Sequence, residues 1–353
     1  MFRRPLITCV TRRLHSLGLE DALAGVAARP EALVIRSAAD DAVLARMPLG
    51  DSILRKYGAP YLCVHRVELH GVVLAAARAL PRVALTPDAR ISQVVTLDKS
   101  VSVEASGARE WEGDGVVGAD GLWSIVRERV VASTLPPRST GHTAWRALVR
   151  RDTLPASLRS ADVQVWLGEQ LHAVDYPVRA GDWLSLVVIA ESEMTATDPS
   201  EWDQDSSAAA LIHVIGNRCD GVRPLIDAMP AWRAWTVNSH PPLAGADEMA
   251  NERIALLGDA AHPMVPHLAQ GAAMAIEDAV ALADCVRDGG TASIPDAFAR
   301  YAAARWQRNA RVQAQAKRDE DIFHSSGTMR RARDAALRVL GARLLDVPWL
   351  YKG

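Results

Sequence analysis

The stretch Arg253 to Ala283, R-I-A-L-L-G-D-A-A-H-P-M-V-P-H-L-A-Q-G-A-A-M-A-I-E-D-A-V-A-L-A, decides the fold class. Ile254 to Leu257 form an apolar run too short for a helix of their own and read as a buried strand. Gly258-Asp259 ends that strand, and Pro263 and Pro266 keep the following loop from being helical throughout. From Gln270 the pattern becomes helical, with Ala273, Ile276, Val280 and Ala283 along one face. Glu277 and Asp278 are read as lying early in this helix, near its positive end. Strand, acidic turn, proline loop and a helix start offering backbone N–H groups to an anion make an α/β unit.

Working outward, G-D-G-V-V-G-A-D-G-L-W-S-I-V-R (residues 113–127) predicts a brief strand at Val116-Val117, with Ser124 and Arg127 on a following helix. Gly118 and Gly121 permit a tight backbone there, although a D-G turn alone is weak evidence. Residues 61–77, Y-L-C-V-H-R-V-E-L-H-G-V-V-L-A-A-A, predict a strand feeding a helix that buries Leu69, Val72, Val73 and Ala76. Arg66 stands at that helix start, where the dipole disfavours a cation unless an anion is near. Hairpins are expected over Ala32–Ile35 with Val43–Leu49, and over Ile91–Leu97 with Ser100–Ala105. One helix is expected from Thr11 to Ala28, and two more over Ile294–Asp321 and Met329–Leu345. Between about 138 and 245, four strands (Thr143–Val149, Val163–Leu167, Leu171–Val178, Trp183–Ala190) predict an antiparallel sheet with two helices. His172 and Tyr176 fall on one face of the third strand by its two-residue period. They serve either as two pocket groups or as packed rings with wet polar tips.

Taken together, G-D-A-A-H-P with P-H-x-A-Q-G-A-A-M-A-I-E-D-A resembles the second FAD motif of single-component flavoprotein aromatic hydroxylases. That family includes salicylate 1-hydroxylase, 3-hydroxybenzoate 6-hydroxylase and 6-hydroxynicotinate 3-monooxygenase. G-A-D-G-x-x-S-x-V-R resembles the family's middle motif and H-R-x-x-L-H its arginine motif, all in the family's order. The resemblance implies an FAD-binding part over residues 1–137 and 246–290, an inserted substrate sheet over 138–245, and C-terminal helices over 291–353. It places Arg66, Asp120, Gly121, Arg127, Gly258, Asp259, Gly271 and Ala272 at FAD. His172 and Tyr176 of H-x-x-x-Y-P would face a phenolic substrate, joined by Gln270 and Pro263 of the proline loop. The activity implied is hydroxylation of a small aromatic acid or phenol with NADH or NADPH and O2, through a flavin C4a-hydroperoxide. His172 is the expected proton acceptor, because imidazole titrates near working pH.

Two departures from the family pattern stand out. The expectation is that no G-x-G-x-x-G stands anywhere in the chain and that no N-terminal hydrophobic strand leads into one, the unit that normally grips the pyrophosphate. Where the family carries Asp-Arg ahead of a proline, this chain reads Asn238-Ser239-His240-Pro241. A member unable to hold FAD is therefore one alternative; an FAD epoxidase or reductase acting on isoprenoids is another, and a non-enzymatic binding module a third.

Composition adds bounds. With 353 residues, 49% hydrophobic and 23% charged, the chain is ordinary for a globular protein. A net charge of −2 gives no footprint for nucleic acid or an acidic membrane. The four cysteines are far apart, with neither metal spacing nor a disulfide framework, so a reducing cytoplasm is expected. No metal is expected, and a homodimer is one open form.

Overall fold

The computed structural model describes residues 4–6 (backbone alone), 8–132, 135–192, 203–266, 270–288 and 293–352. The strands, in chain order, are β1 (Arg4–Leu6), β2 (Ala32–Ser37), β3 (Val43–Pro48), β4 (Leu62–Val64), β5 (Ile91–Thr96), β6 (Val101–Ala105), β7 (Arg109–Gly113), β8 (Val116–Gly118), β9 (Arg138–Arg150), β10 (Val163–Leu167), β11 (Leu171–Val178), β12 (Trp183–Glu191), β13 (Gln204–Ser206), β14 (Trp232–Ser239), β15 (Ala250–Asn251) and β16 (Ile254–Leu256). The helices are α1 (Thr8–Ser16), α2 (Glu20–Ala24), α3 (Gly50–Tyr57), α4 (Arg66–Arg78), α5 (Ala208–Ile215), α6 (Arg223–Asp227), α7 (Gly271–Asp288), α8 (Ile294–Phe323), α9 (Gly327–Leu340), α10 (Ala342–Leu345) and α11 (Pro348–Lys352). This is the mixed α/β architecture expected. Two compact units emerge: one from Met1–Ala76, Ser139–Val237 and Arg318–Gly353, the other from Ala77–Arg138 and Asn238–Lys317. One of these cuts, between Arg138 and Ser139, falls beside the expected boundary at 137/138, while the others, after Ala76, Val237 and Lys317, follow compactness alone.

The first unit is built on an eight-stranded sheet of order β13-β14-β9-β12-β11-β10-β2-β3. Strand alternation sorts its side chains. One face sends Trp145, Ala147, Leu171, Ala173, Leu184 and Leu186 against Leu211, Ile215, Leu225 and Ile226 of α5 and α6. The register pairs His172 with Ile189 and Tyr176 with Ser185, and Val187 and Glu191 with Arg146 and His142. His172, Tyr176, Arg146, His142 and Glu191 therefore share the opposite face. The hairpin β2–β3 forms as expected but is not a separate piece, because β2 adds in parallel to β10. Nor is Thr11 to Ala28 one helix: α1 stops at Ser16, and Gly18 turns in the left-handed region (φ 76°) before α2. Helix α4 buries none of its residues, and Val73, expected inside, is 43% exposed. The C-terminal helix likewise breaks, at Gly341 between α9 and α10.

In the second unit β8 and β16 run parallel, Val116 beside Ile254 and Gly118 beside Leu256, with β15 antiparallel at the edge. A separate sheet β5-β6-β7 adds a third strand to the expected hairpin. Its core gathers Val94, Val101, Val126, Leu256, Leu282, Phe298 and Tyr301. Gly113, Gly115 and Gly118 do carry the spacing G-x-G-x-x-G. They lie at a strand-to-strand turn, however, not at a strand-to-helix one. A Cβ on Gly115 would lie 2.7 Å from Ile294, and one on Gly118 would lie 2.6 Å from Val126. These two glycines serve close packing. No helix among the described residues is long and apolar enough to cross a membrane.

Candidate active site

In the second unit, both diagnostic loops leave the carboxyl ends of neighbouring parallel strands, the place where open α/β sheets bind ligands. After β8, Asp120 organises its own turn. Its Oδ1 accepts from Ser124 Oγ (2.5 Å), and its Oδ2 accepts from the backbone N–H of Ile125 (2.9 Å) and Val126 (3.4 Å). This capture of N–H groups by a side chain replaces the helix expected at Ser124 with turns and a short 3-10 segment, Arg127–Arg129. Gly121 sits in the left-handed region (φ 84°). Arg127 is buried and donates through Nη1 to the carbonyls of Ala260 (2.9 Å) and Ala261 (2.7 Å). The middle motif therefore holds the G-D loop by a buried guanidinium.

After β16, Gly258 takes φ +62°, and a Cβ there would lie 3.0 Å from Ala275. Only glycine fits that conformation and approach without strain. Asp259 follows it, half-buried, and Pro263 and Gln270 are buried. Gly271 and Ala272 open α7, whose first-turn N–H groups lack intrahelical acceptors. His267, Leu268 and Ala269 of the proline loop lie outside the described residues.

The buried stripe of α7 differs from expectation: it contains Met274, Glu277, Asp278 and Leu282, while Ala283 is exposed. Glu277 and Asp278 lie beyond the first turn, and ion pairing, not the helix dipole, accommodates them. Asp278 Oδ1 accepts from Arg305 Nε (2.8 Å) and Asn309 Nδ2 (3.0 Å), and its Oδ2 meets His262. Glu277 takes Arg305 (3.0 Å) and Arg308 (2.7 Å). Burial alone would raise the Asp278 carboxyl, but His262, Arg305 and Asn309 outweigh it and hold it below the usual range. One turn further along α8, Gln313 Nε2 donates to the carbonyls of His240 (2.8 Å) and Pro263 (2.9 Å). Ser239 also reaches the Pro263 carbonyl, so the departing sequence Asn238-Ser239-His240-Pro241 is tied to the proline loop by neutral hydrogen bonds.

In the first unit, Arg66 opens α4 with an exposed side chain. His172 (1% exposed) and Tyr176 (2%) are buried on β11, which removes the reading of wet polar tips. His172 Nδ1 lies 2.8 Å from His324 Nε2, and His324 Nδ1 lies 3.2 Å from His142 Nε2. His142 Nδ1 then meets the Thr140 carbonyl (3.0 Å) and Glu320 Oε1 (3.3 Å). All three rings and Glu320 are buried, and Phe323 packs edge-on against His172. Ring nitrogens of His142 and His324 and a carboxylate oxygen of the exposed Glu191 lie within 4.8 Å of one another.

Sequence reasoning missed His142, Glu320 and His324, which are isolated letters until the sheet and the end of α8 bring them together. It also missed Arg146, whose place after Trp145 in T-A-W-R-A-L-V puts it on the His172 face. Arg146 pairs with Asp203 (2.7 Å) and lies over the Trp235 ring (5.3 Å). Burial lowers its guanidinium below its ordinary value, against the pull of Asp203.

The second-unit loops fit a dinucleotide: a cradle that a Cβ would fill, a carboxylate beside it, and a helix N-terminus facing the same loop. Comparison with known proteins agrees. A family profile described as FAD binding domain matches residues 11–315. The 3-hydroxybenzoate 6-hydroxylase of Polaromonas naphthalenivorans (strain CJ2) is 31% identical over 90% of this chain and 78% of its own length. A 3-amino-4-hydroxybenzoate 2-monooxygenase of Streptomyces cremeus is 33% identical over 89% of this chain and 75% of its own. Among solved structures, a salicylate hydroxylase substrate complex superposes with a TM-score of 0.82 at 20% identity, covering 99% of this chain and 87% of that one. Motifs, fold and relatives converge: the chain belongs to the single-component FAD-dependent aromatic hydroxylases.

Proposed function

We propose that this flavoprotein monooxygenase hydroxylates a small aromatic acid bearing a ring hydroxyl, using NADH or NADPH and O2, with His172 taking the hydroxyl proton. The observation that carries the reading is His172 itself, a fully buried imidazole on a polar sheet face that also bears Tyr176 and Arg146. When bound, FAD supplies the two-electron reduction and the activation of dioxygen.

The residues of the chain do the rest. Gly258, Asp259, Gly271 and Ala272 hold FAD by close backbone approach, a carboxylate and helix N–H groups. Gly121 keeps the neighbouring turn open, while Asp120 and Arg127 act through the shape they impose on these loops. Arg66 supplies a cation at a helix start, where an anion offsets the unfavourable dipole. Pro263 and Gln270 border the substrate. Removing the hydroxyl proton makes the ring electron-rich and ready to attack an electrophilic oxygen, so His172 acts as general base. Tyr176 hydrogen-bonds the same oxygen, and Arg146 offers a counter-charge to the acid's carboxylate.

The test is to load the purified chain with FAD and follow NADH and NADPH oxidation with 3-hydroxybenzoate and salicylate, identifying products by mass. Substrate-dependent oxidation with a product one oxygen heavier is expected, and His172→Ala lowers kcat/KM about a hundredfold. Equal turnover by His172→Ala would remove His172 from its role.

A further inference from the structure

The hydrogen-bond line from His172 has a direction, set by its far end. His142 Nδ1 faces a carbonyl oxygen at 3.0 Å and a carboxylate oxygen at 3.3 Å, both acceptors, so this nitrogen carries a proton. With neutral rings, His142 Nε2 is then an acceptor, and at 3.2 Å it takes a hydrogen bond from His324 Nδ1–H. His324 Nε2 becomes the acceptor for His172 Nδ1–H at 2.8 Å. The last consequence is chemical: the nitrogen of His172 that lacks a proton is Nε2.

We infer that His172, His324 and His142, ending at Glu320 and Glu191, form a proton-exit relay that carries the substrate's hydroxyl proton out of the buried site. The inference rests on the reading of His172 as the group that meets the substrate. The steps balance as a concerted shift. The substrate hydroxyl proton goes to His172 Nε2, and the His172 Nδ1 proton passes to His324 Nε2. The His324 Nδ1 proton then passes to His142 Nε2, and the His142 Nδ1 proton to the Glu320 carboxylate. Inside the protein this leaves a phenolate, a neutral Glu320 carboxyl and three neutral rings in inverted tautomers, with no imidazolium left buried; transfer of the Glu320 proton to water then completes the exit and restores its carboxylate. Separating a phenolate from a distant proton in this way avoids stranding a cation beneath the sheet, a costly arrangement at low dielectric. The exposed Glu191 lies opposite His142 across β9 and β12, within 4.8 Å of the His142–His324 contact. A single bridging water would span that distance and open the line to solvent.

The first test needs no substrate. In the FAD-loaded protein with 15N-labelled histidine, the relay requires all three rings to be Nδ1–H tautomers; an Nε2–H form of His172 or His324 overturns it. The second is stopped-flow mixing of the holoenzyme with 3-hydroxybenzoate, reading phenolate absorbance and proton release to an indicator dye. His142→Gln keeps hydrogen-bonding groups but cannot pass a proton, so proton release slows about ten- to a hundredfold with substrate affinity unchanged, and added imidazole restores it. Wild-type release in His142→Gln, alongside loss in His172→Ala, overturns the relay while leaving His172 as base. Wild-type release in His172→Ala instead overturns the underlying reading. If His142→Gln fails to fold, the surface variant Glu191→Gln carries the test, with a severalfold slowing that buffer relieves. One equivalent of divalent metal in the purified holoenzyme, lost in Glu191→Gln, also overturns the relay, because it would occupy the His142 and His324 nitrogens that must exchange protons.

Discussion

The two units bury polar groups by opposite means. Around Asp278 the second unit assembles fixed charges, with two carboxylates answered by Arg305 and Arg308 and finished by Asn309 and His262. Beneath the large sheet the first unit instead aligns imidazoles, each able to give and accept at once. The first arrangement resists rearrangement, since any lost partner strands a charge. The second permits it, since a proton can move along the line without net charge appearing in the interior. Rigidity falls where a loop must be held, and adaptability where a proton must travel.

The comparison breaks first at Asp278. Asp278→Leu removes the carboxylate shared by Arg305, Asn309 and His262, leaving Arg305 with Glu277 alone, and should cost about 3–5 kcal/mol in urea unfolding. A cost below about 1 kcal/mol would mean that the cluster is not holding the loop. Next in size is His172→Ala, whose roughly hundredfold loss of kcat/KM equals about 2.7 kcal/mol of barrier, alongside a stability loss of about 1–3 kcal/mol from the cavity and the lost His324 hydrogen bond. Gly118→Ala sharpens the second unit's dependence on packing. Its new Cβ meets Val126 at 2.6 Å, so a loss of about 1–3 kcal/mol is expected, together with weaker FAD retention.

The smallest effect separates two buried carboxyls by sign. Burial pushes the Asp175 carboxyl on β11 well above the usual range, opposed by Gln164 and Arg36. A raised folded value favours the native state in acid, below about pH 4, and that contribution is lost as pH rises toward the folded value. Asp175→Asn should therefore gain on the order of 1 kcal/mol at neutral pH, with the curves converging below pH 4. Asp278 is held low, so its contribution is present above about pH 4 and lost as pH falls through its folded value. Asp278→Asn should be the less stable protein at neutral pH and approach the parent in strong acid. Urea titrations at three pH values decide both; equal signs for the two variants would contradict the contrast.

Much of the architecture was legible in local pattern. Val163–Leu167 and Leu171–Val178 stand where alternation placed them, and α7 begins one residue from its expected start. The errors share a cause, long range. β2 joins the distant β10 as well as its hairpin partner β3, and β14 shows its partners only in the assembled sheet. Glu277 and Asp278 sit inside because Arg305 and Arg308, far along the chain, answer them. At the site, the G-D and D-G motifs were readable because each is a contiguous turn. His142 and His324 were not, since nothing in a lone histidine announces a partner 182 positions away. Asp120 was legible as a position, while its hydrogen bonds to its own turn were not.

The parallel pairing of β2 with β10 also has a consequence for biosynthesis. The hairpin β2–β3 leaves the ribosome well before β10 exists, and at cellular elongation rates the wait is on the order of ten seconds. During that interval one edge of the hairpin exposes unpaired backbone groups and the side chains of Val34 and Ile35, later buried. The nascent chain is thus a natural client for holdase chaperones until Leu167 emerges. Ribosome-bound chains truncated before and after that residue should differ sharply in protease resistance of the hairpin.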